Sequence, residues 1–406
     1  MYIVSCGGVV NTNFDSHFTE DGELVADSDS VRDFAPCRPQ LIKFYVEVSG
    51  SMNGFFRSGV LTDFKTDVWQ VMSYYSPASP GVTILTNDGS VGQRLSFDTF
   101  RSQMNTGAFV SSASTRVPVM LESVFADLDA EAGEVGVLVS DMKYSPVGQK
   151  APEVLLGQYT TDIGEIFGKH GLAVSLILAT SSYADRKGGI VPDVASPYYF
   201  LVIGKPEHVA ELRNGISSFL EDANHFVDNI ESGFDYGQIK YSFGIPKNCW
   251  QLDDVNPTFC GYDPSVDDTC TVRLKLSLEN YRWRIADADI LRDYFTAECK
   301  YGSQVEIGNI SIDVKKKTET HVLHRTATAT IDLKLFDMAT DSEVIEWTLN
   351  LPDTEYTLFG PFVEGAVDPN DITKSYSVDR FIKGMFYGGV VNKPLNKNYI
   401  LISKNS

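Results

Sequence analysis

LIKFYVEVSGSMNG, residues 41–54, is a run of strand-forming residues that passes directly into a polar turn. Leu41 to Val48 is rich in aliphatic and aromatic residues and is short, which predicts a buried strand. The turn that follows brings together one carboxylate and two hydroxyls, Glu47, Ser49 and Ser51. Ligands of open α/β sheets bind just beyond the carboxyl ends of the strands, so this turn is the first candidate for a functional site.

Helical and strand patterns alternate from this turn to about residue 220. Apolar residues at helical spacing predict helices, and short apolar runs bounded by Gly and Pro predict strands. The predicted helices cover residues 60–75, 115–128, 152–169 and 206–220, and the predicted strands cover 82–85, 91–97, 135–139, 172–179 and 198–203. This alternation predicts an α/β fold with a doubly wound, mostly parallel sheet.

The pattern changes near residue 230. Several later strand-like runs alternate polar and apolar residues, which is typical of half-exposed antiparallel strands. Those runs cover residues 238–243, 271–278, 305–314, 327–335, 344–349 and 399–402, and short helices are predicted at 288–295 and 377–386. We therefore expect an N-terminal tether at 1–38, an α/β domain at 39–228 and a β-rich or α+β domain at 229–406.

Two further oxygen-bearing residues are expected at the edge of the sheet where Glu47, Ser49 and Ser51 lie. Thr115 opens a predicted helix after a Ser- and Ala-rich loop, where a helix N-cap is its plain structural explanation. Asp141 follows the predicted strand 135–139, again at a carboxyl end. These five residues form one candidate set because the carboxyl ends of parallel strands share an edge.

In its motif order this part of the chain resembles the von Willebrand factor A domain. That family carries Asp-x-Ser-x-Ser after its first strand, a Thr in a later loop and an Asp after its fourth strand, as a metal-ion-dependent adhesion site. Residues 47–52 read EVSGSM here, and Thr115 and Asp141 follow in the family's order. The resemblance covers about residues 40–222. It implies a Mg²⁺ site, or one for Ca²⁺ or Mn²⁺, that binds an acidic residue of a protein partner.

Glu47 departs from the family pattern, which has Asp at this position. Its side chain is one methylene longer, so its carboxylate reaches further than that of Asp. The elementary chemistry still suits a hard cation, since Mg²⁺ prefers oxygen ligands and retains waters. Hydroxyls would bind it directly, while carboxylates orient its waters. A von Willebrand-type fold with a metal-free site is the alternative that Glu47 leaves open.

Charge and composition restrict the partners. The formal net charge is −20, and the one basic run, Lys315 to Lys317, is short. Nucleic acids and anionic membranes both require clustered cations, so they are excluded as expected partners.

The first residues bear on the compartment. Ile3-Val4-Ser5-Cys6-Gly7 resembles the end of a bacterial lipoprotein signal, in which the cysteine is lipidated. We therefore expect anchoring at Cys6 in the bacterial cell envelope, and a cytoplasmic location is the alternative. Four cysteines between residues 249 and 299 suit two disulfides, whose connectivity stays open; they are Cys249, Cys260, Cys270 and Cys299.

Three functions are compatible with the sequence. The leading prediction is a non-enzymatic, cation-dependent binding protein. The second is a metal-dependent phosphoryl or sulfuryl hydrolase with Ser49 or Ser51 as nucleophile and Asp141 as a metal ligand. The third is a metal-free intracellular scaffold with free thiols.

Overall fold

The computed structural model describes most of the chain after residue 36. The described residues are 37–85, 91–109, 115–144, 152–234, 239–252, 257–278, 288–319, 322–350, 359–388 and 395–404. The tether and the lipidation site predicted at Cys6 lie outside these residues.

The first half of the chain forms a seven-stranded sheet flanked by helices. Its strands are β1 (Leu41–Glu47), β2 (Val82–Leu85), β3 (Val91–Leu95), β4 (Glu134–Ser140), β5 (Ala173–Ser181), β6 (Ser196–Gly204) and β7 (Phe226–Ser232). Its helices are α1 (Asp63–Tyr75), α2 (Phe97–Thr106), α3 (Val117–Asp127), α4 (Pro152–His170) and α5 (Pro206–Asp222), with a 3-10 turn at Ser51–Gly54. The α/β class is therefore confirmed.

The sheet is mixed, so the prediction of a mostly parallel sheet was wrong. Its strand order is β3-β2-β1-β4-β6-β5-β7. Only β1 pairs in parallel, with β2 and with β4, and every other pair is antiparallel. The physical reason is the connection 182–195, which forms turns and no helix. Without a crossover, β6 starts at the edge where β5 ended and must run back antiparallel.

Two smaller sheets follow. They are built from β8 (Tyr241–Phe243), β9 (Trp250–Gln251), β10 (Thr258–Tyr262), β11 (Thr269–Ser277), β12 (Phe295–Cys299), β13 (Gln304–Glu319), β14 (Val322–Phe336), β15 (Ser342–Asn350) and β16 (Leu395–Lys404), with α6 (Ala288–Tyr294) before β12. One sheet has the order β12-β15-β16-β10-β9 and the other β13-β14-β11-β8. Rings of Tyr241 and Trp347, 5.5 Å apart, and of Phe243 and Phe259, 5.1 Å apart, join the two sheets.

Helices cover both faces of the seven-stranded sheet. Val68 of α1 and Leu212 of α5 belong to the apolar core on one face, which continues into the two smaller sheets. Leu121 of α3 and Ile163 of α4 belong to the core on the other face. All four side chains are fully buried.

Two late helices return to the first sheet. They are α7 (Gly360–Val363) and α8 (Val378–Gly388). Helix α8 packs directly on α4 through small residues. A β-carbon on Gly384 would lie 2.6 Å from the carbonyl oxygen of Thr160, and one on Gly388 would lie 1.9 Å from that of Gly164. The helices approach this closely only because these positions lack side chains.

The boundary predicted at residue 228 stays a prediction, although it falls inside β7 (Phe226–Ser232). Among the described residues, none of the helices has both the length and the apolar character needed to cross a membrane.

Candidate functional site

The site is built where two adjacent parallel strands end. β1 and β4 pair with Val46 opposite Val139. One residue further along, Glu47 and Ser140 lie next to each other, and Asp141 follows directly. The shared edge predicted from the sequence therefore exists for these two strands.

Glu47 accepts hydrogen bonds on both carboxylate oxygens. The Thr115 hydroxyl donates to Oε1 at 2.9 Å, and the Ser140 hydroxyl donates to Oε2. Glu47 is only 1% exposed. The extra methylene of Glu therefore carries the carboxylate to two buried hydroxyls, which hold it in one place. Ser140 was not among the candidates, although its position at the end of β4 was readable from the sequence.

Thr115 is not a helix N-cap, which was its plain structural explanation. Helix α3 begins at Val117 with Arg116 at the N-cap, and that cap makes no side-chain hydrogen bond. Thr115 is buried, and its hydroxyl is committed to Glu47, which lies 68 positions earlier in the chain. Thr115 thus belongs to the candidate site through a direct contact.

Ser49 and Ser51 lie together at the start of the turn. Their hydroxyl oxygens are 2.9 Å apart. The hydroxyl of Tyr183, from the β5–β6 connection, donates to the carbonyl of Ser51 at 2.8 Å. A β-carbon on Gly54 would lie 2.1 Å from the Tyr183 ring, so only glycine fits beneath it. The connection 182–195 therefore fixes the conformation of the serine turn.

Asp141 has an unsatisfied oxygen. It is 1% exposed, and its Oδ1 accepts from the Lys143 backbone N–H at 3.2 Å, whereas its Oδ2 is buried without a hydrogen-bond partner. Met142, the next residue, has φ +55°, an uncommon conformation for a side chain of this size. Such strain is maintained only where the surroundings over-determine it, and it concentrates at functional sites.

Burial disfavours the ionisation of both carboxyls. Burial, reinforced by the charge of Asp141, raises the pKa of Glu47 to about 7, against hydrogen bonds from Ser140, Ser49 and Thr115. Burial also raises the pKa of Asp141, whereas the charge of Lys143 and the nearby Ser51 hydroxyl lower it. The charged forms of these two buried acids are therefore incompletely compensated by their neighbours.

A cavity of about 690 Å³ opens over the hydroxyls. Ser49, Ser51 and Thr115 line it, whereas Glu47 and Asp141 are not among its lining residues. The hydroxyls therefore lie between the carboxylates and the cavity. Its other walls come from segments that the sequence did not assign to the site, and they include Arg57, Lys143, Tyr183, Arg186, Pro369, Asn370 and Ile372.

These residues fit a hard divalent cation better than a soft one. Within the described part of the chain, no three His, Cys, Asp or Glu residues cluster closely enough to hold a metal ion. Hydroxyls would therefore have to supply part of any ligand set here, which suits a hard ion such as Mg²⁺. The orphaned Asp141 Oδ2 is the observation that favours a cation here.

Comparisons with protein-family models, with curated proteins and with solved structures gave no match.

Proposed function

We propose that the chain is a non-enzymatic binding protein that uses a divalent cation at the end of β1 to recognise a protein partner. The observation that carries this proposal is the pairing of buried carboxyls with cavity-facing hydroxyls. Ser49, Ser51 and Thr115 would hold the cation, and Glu47 and Asp141 behind them would balance its charge. When bound, the cation supplies a positive centre for an anionic oxygen of the partner.

The resemblance to the von Willebrand factor A domain supports the same proposal. The motif residues come together in space, and Glu47 replaces the Asp of the family without leaving its carboxylate unpaired. The mixed sheet differs from the expected parallel one, but it retains the parallel β1–β4 pair on which the site is built. Anchoring at Cys6 in the bacterial envelope is part of the proposal and rests on the sequence alone.

Calorimetric titration with Mg²⁺, Ca²⁺ and Mn²⁺ tests the cation. We expect one site per chain, and Ser51→Ala should weaken Mg²⁺ binding by roughly 10- to 100-fold, because a hydroxyl at the cavity is lost. Ser102→Ala is the matched control, since Ser102 is exposed on α2. This variant should bind Mg²⁺ as the unaltered chain does. Absence of heat with all three ions, together with unchanged melting temperatures, would refute the cation site.

The walls of the cavity favour an acidic partner residue. Three cationic side chains, Arg57, Lys143 and Arg186, and one anionic side chain, Asp185, line it in a chain whose net charge is −20. The Arg57 Nε is buried and has no hydrogen-bond partner. The Lys143 Nζ donates to the carbonyl of Asp371 at 2.7 Å, which fixes its charge at the wall. An incoming carboxylate would therefore meet a positive potential in addition to the cation.

A random peptide library displayed on phage provides a probe for that partner. We expect peptides that are retained with Mg²⁺ and released by a chelator to be enriched in Asp and Glu, because a carboxylate completes both the cation site and the basic wall. Arg57→Ala should reduce the acidic enrichment while leaving Mg²⁺ affinity within about twofold, because Arg57 is not a proposed ligand. Released peptides without excess Asp or Glu would contradict an acidic partner.

A further inference from the structure

The two smaller sheets bring a pair of thiols together. Cys249 immediately precedes β9, in the sheet that ends with β10 and β9, and Cys270 is the second residue of β11, in the other sheet. Their sulfur atoms are 2.8 Å apart. Cys270 is fully buried, while Cys249 is partly exposed.

The backbone around this pair is held on several sides. Lys247 and Thr271 exchange two backbone hydrogen bonds, at 2.9 and 3.0 Å, which places the two segments side by side. Asn248 has φ +53°, and its amide donates to the carbonyls of Asp263, Asp267 and Thr269 at 2.9 to 3.1 Å. The proximity of the sulfurs therefore follows from a fixed backbone turn and does not depend on side-chain rotation alone.

We propose that Cys249 and Cys270 form a disulfide that joins the two sheets, made by exchange with an external disulfide. The Cys249 thiolate attacks that disulfide and releases one thiol, giving a mixed disulfide at Cys249. The Cys270 thiol then loses its proton and attacks the Cys249 sulfur, which releases the second thiol. Two protein thiols are oxidised, the external disulfide is reduced to two thiols, and the protons end on those thiols.

Exposure sets the order of these two steps. An external disulfide can reach the partly exposed Cys249, whereas Cys270 lies in the apolar core. The hydrogen bond to Cys249, together with burial, also raises the pKa of Cys270, so Cys270 is a poor first nucleophile. Cys270 becomes effective in the second step because its target sulfur is already in contact with it.

The other two cysteines of this region cannot form the second disulfide that the sequence suggested. Cys260 lies on β10 and Cys299 on β12, with β16 and β15 between them. Three strand spacings separate them by roughly 14 Å, far beyond the separation of about 7 Å that a disulfide tolerates. Among these four cysteines, the geometry selects the one pair.

Oxidised glutathione is the probe that tests this proposal on the full chain. We expect peptide mapping to find residues 249 and 270 cross-linked, with loss of the mass of two hydrogen atoms. The melting temperature should rise by roughly 4 °C, since the bridge closes a loop between two residues 21 positions apart in the unfolded chain. Cys249→Ser should abolish both changes, and Cys299→Ser, the matched control, should preserve them.

The reduced form of Cys249→Ser serves as the folding control. If misfolding caused the loss of the cross-link, the melting temperature of this variant would already be lower before oxidation. A mixed glutathione disulfide that persists at Cys249 without reaching Cys270 would overturn the proposal. So would an unmodified pair under conditions that modify the exposed Cys37. Neither outcome bears on the cation site, because Mg²⁺ titration of the reduced chain tests that site separately.

Discussion

Glu47→Gln is expected to stabilise the metal-free protein at pH 8 and to weaken its Mg²⁺ binding at the same time. Gln has the shape of Glu without its charge, so it relieves both the burial penalty and the repulsion by Asp141. Its amide can accept a hydrogen bond from one of the neighbouring hydroxyls, Thr115 or Ser140, and donate to the other. The proposed cation, however, loses half of the charge that balances it.

The pH dependence sets the expected difference in the free energy of unfolding between Glu47→Gln and the wild type. Burial and the charge of Asp141 raise the pKa of Glu47 to about 7 in the folded protein, from 4.5 in the unfolded chain. Ionisation is therefore costlier in the folded state, and wild-type stability falls as pH rises from 4.5 to about 7. Above that range Glu47→Gln should be the more stable protein by roughly 3 kcal/mol, and below pH about 4.5 the difference should vanish.

Urea unfolding across this pH range, with a chelator present, measures the effect. Glu131→Gln is the matched control, because the Glu131 side chain is 89% exposed and its loss should change stability by less than about 0.5 kcal/mol. A Glu47→Gln protein that is less stable than wild type at pH 8 would mean that its hydrogen bonds outweigh its buried charge. Unchanged Mg²⁺ affinity would remove Glu47 from the proposed site.

Gly384→Ala is expected to destabilise the protein by roughly 3 kcal/mol or more, through overpacking between α4 and α8. The added β-carbon would lie 2.6 Å from the Thr160 carbonyl and 2.7 Å from the β-carbon of Ile163. Both contacts involve the body of α4, so no flexible side-chain end can move away to relieve them. Thermal and urea unfolding measure the loss.

Gly157→Ala is the matched control for this substitution. Gly157 lies on α4 itself, and a β-carbon there would meet nothing within 4 Å. Its replacement should stabilise the helix by up to about 1 kcal/mol, because alanine is the better helix former. If both variants behaved alike, the close approach of α4 and α8 would not be a feature of the folded protein.

The sequence predicted the elements of the fold better than their pairing. Buried runs at 135–139 and 198–203 proved to be strands, β4 and β6, but a fully buried strand has the same composition in either direction. The direction of β6 depends on the connection between residues 181 and 196, which forms no helix. β7 (Phe226–Ser232) was missed because its polar residues, among them Asp228 and Asn229, are buried.

The candidate site was predictable where it depended on strand ends. Glu47, Ser49, Ser51 and Asp141 follow buried strands or their turns, and parallel pairing brings such positions together. Arg57 and Tyr183 could not be assigned in this way, because they reach the cavity through loops whose course depends on tertiary contacts. The family resemblance does not include Ser140 either. The role of Ser140 is evident only from the structure, in which its hydroxyl donates to the second carboxylate oxygen of Glu47.

The cavity over the serine turn takes one wall from far along the chain. Pro369, Asn370 and Ile372 line it, and the hydroxyl of Ser196 donates to the carbonyl of Ile372 at 2.6 Å. A fragment that ended at residue 228 would keep all five proposed cation-site residues and lose this wall together with α8. The fragment could retain affinity for the ion yet lose selectivity for the partner, so the recognition site could not be transplanted as a single segment.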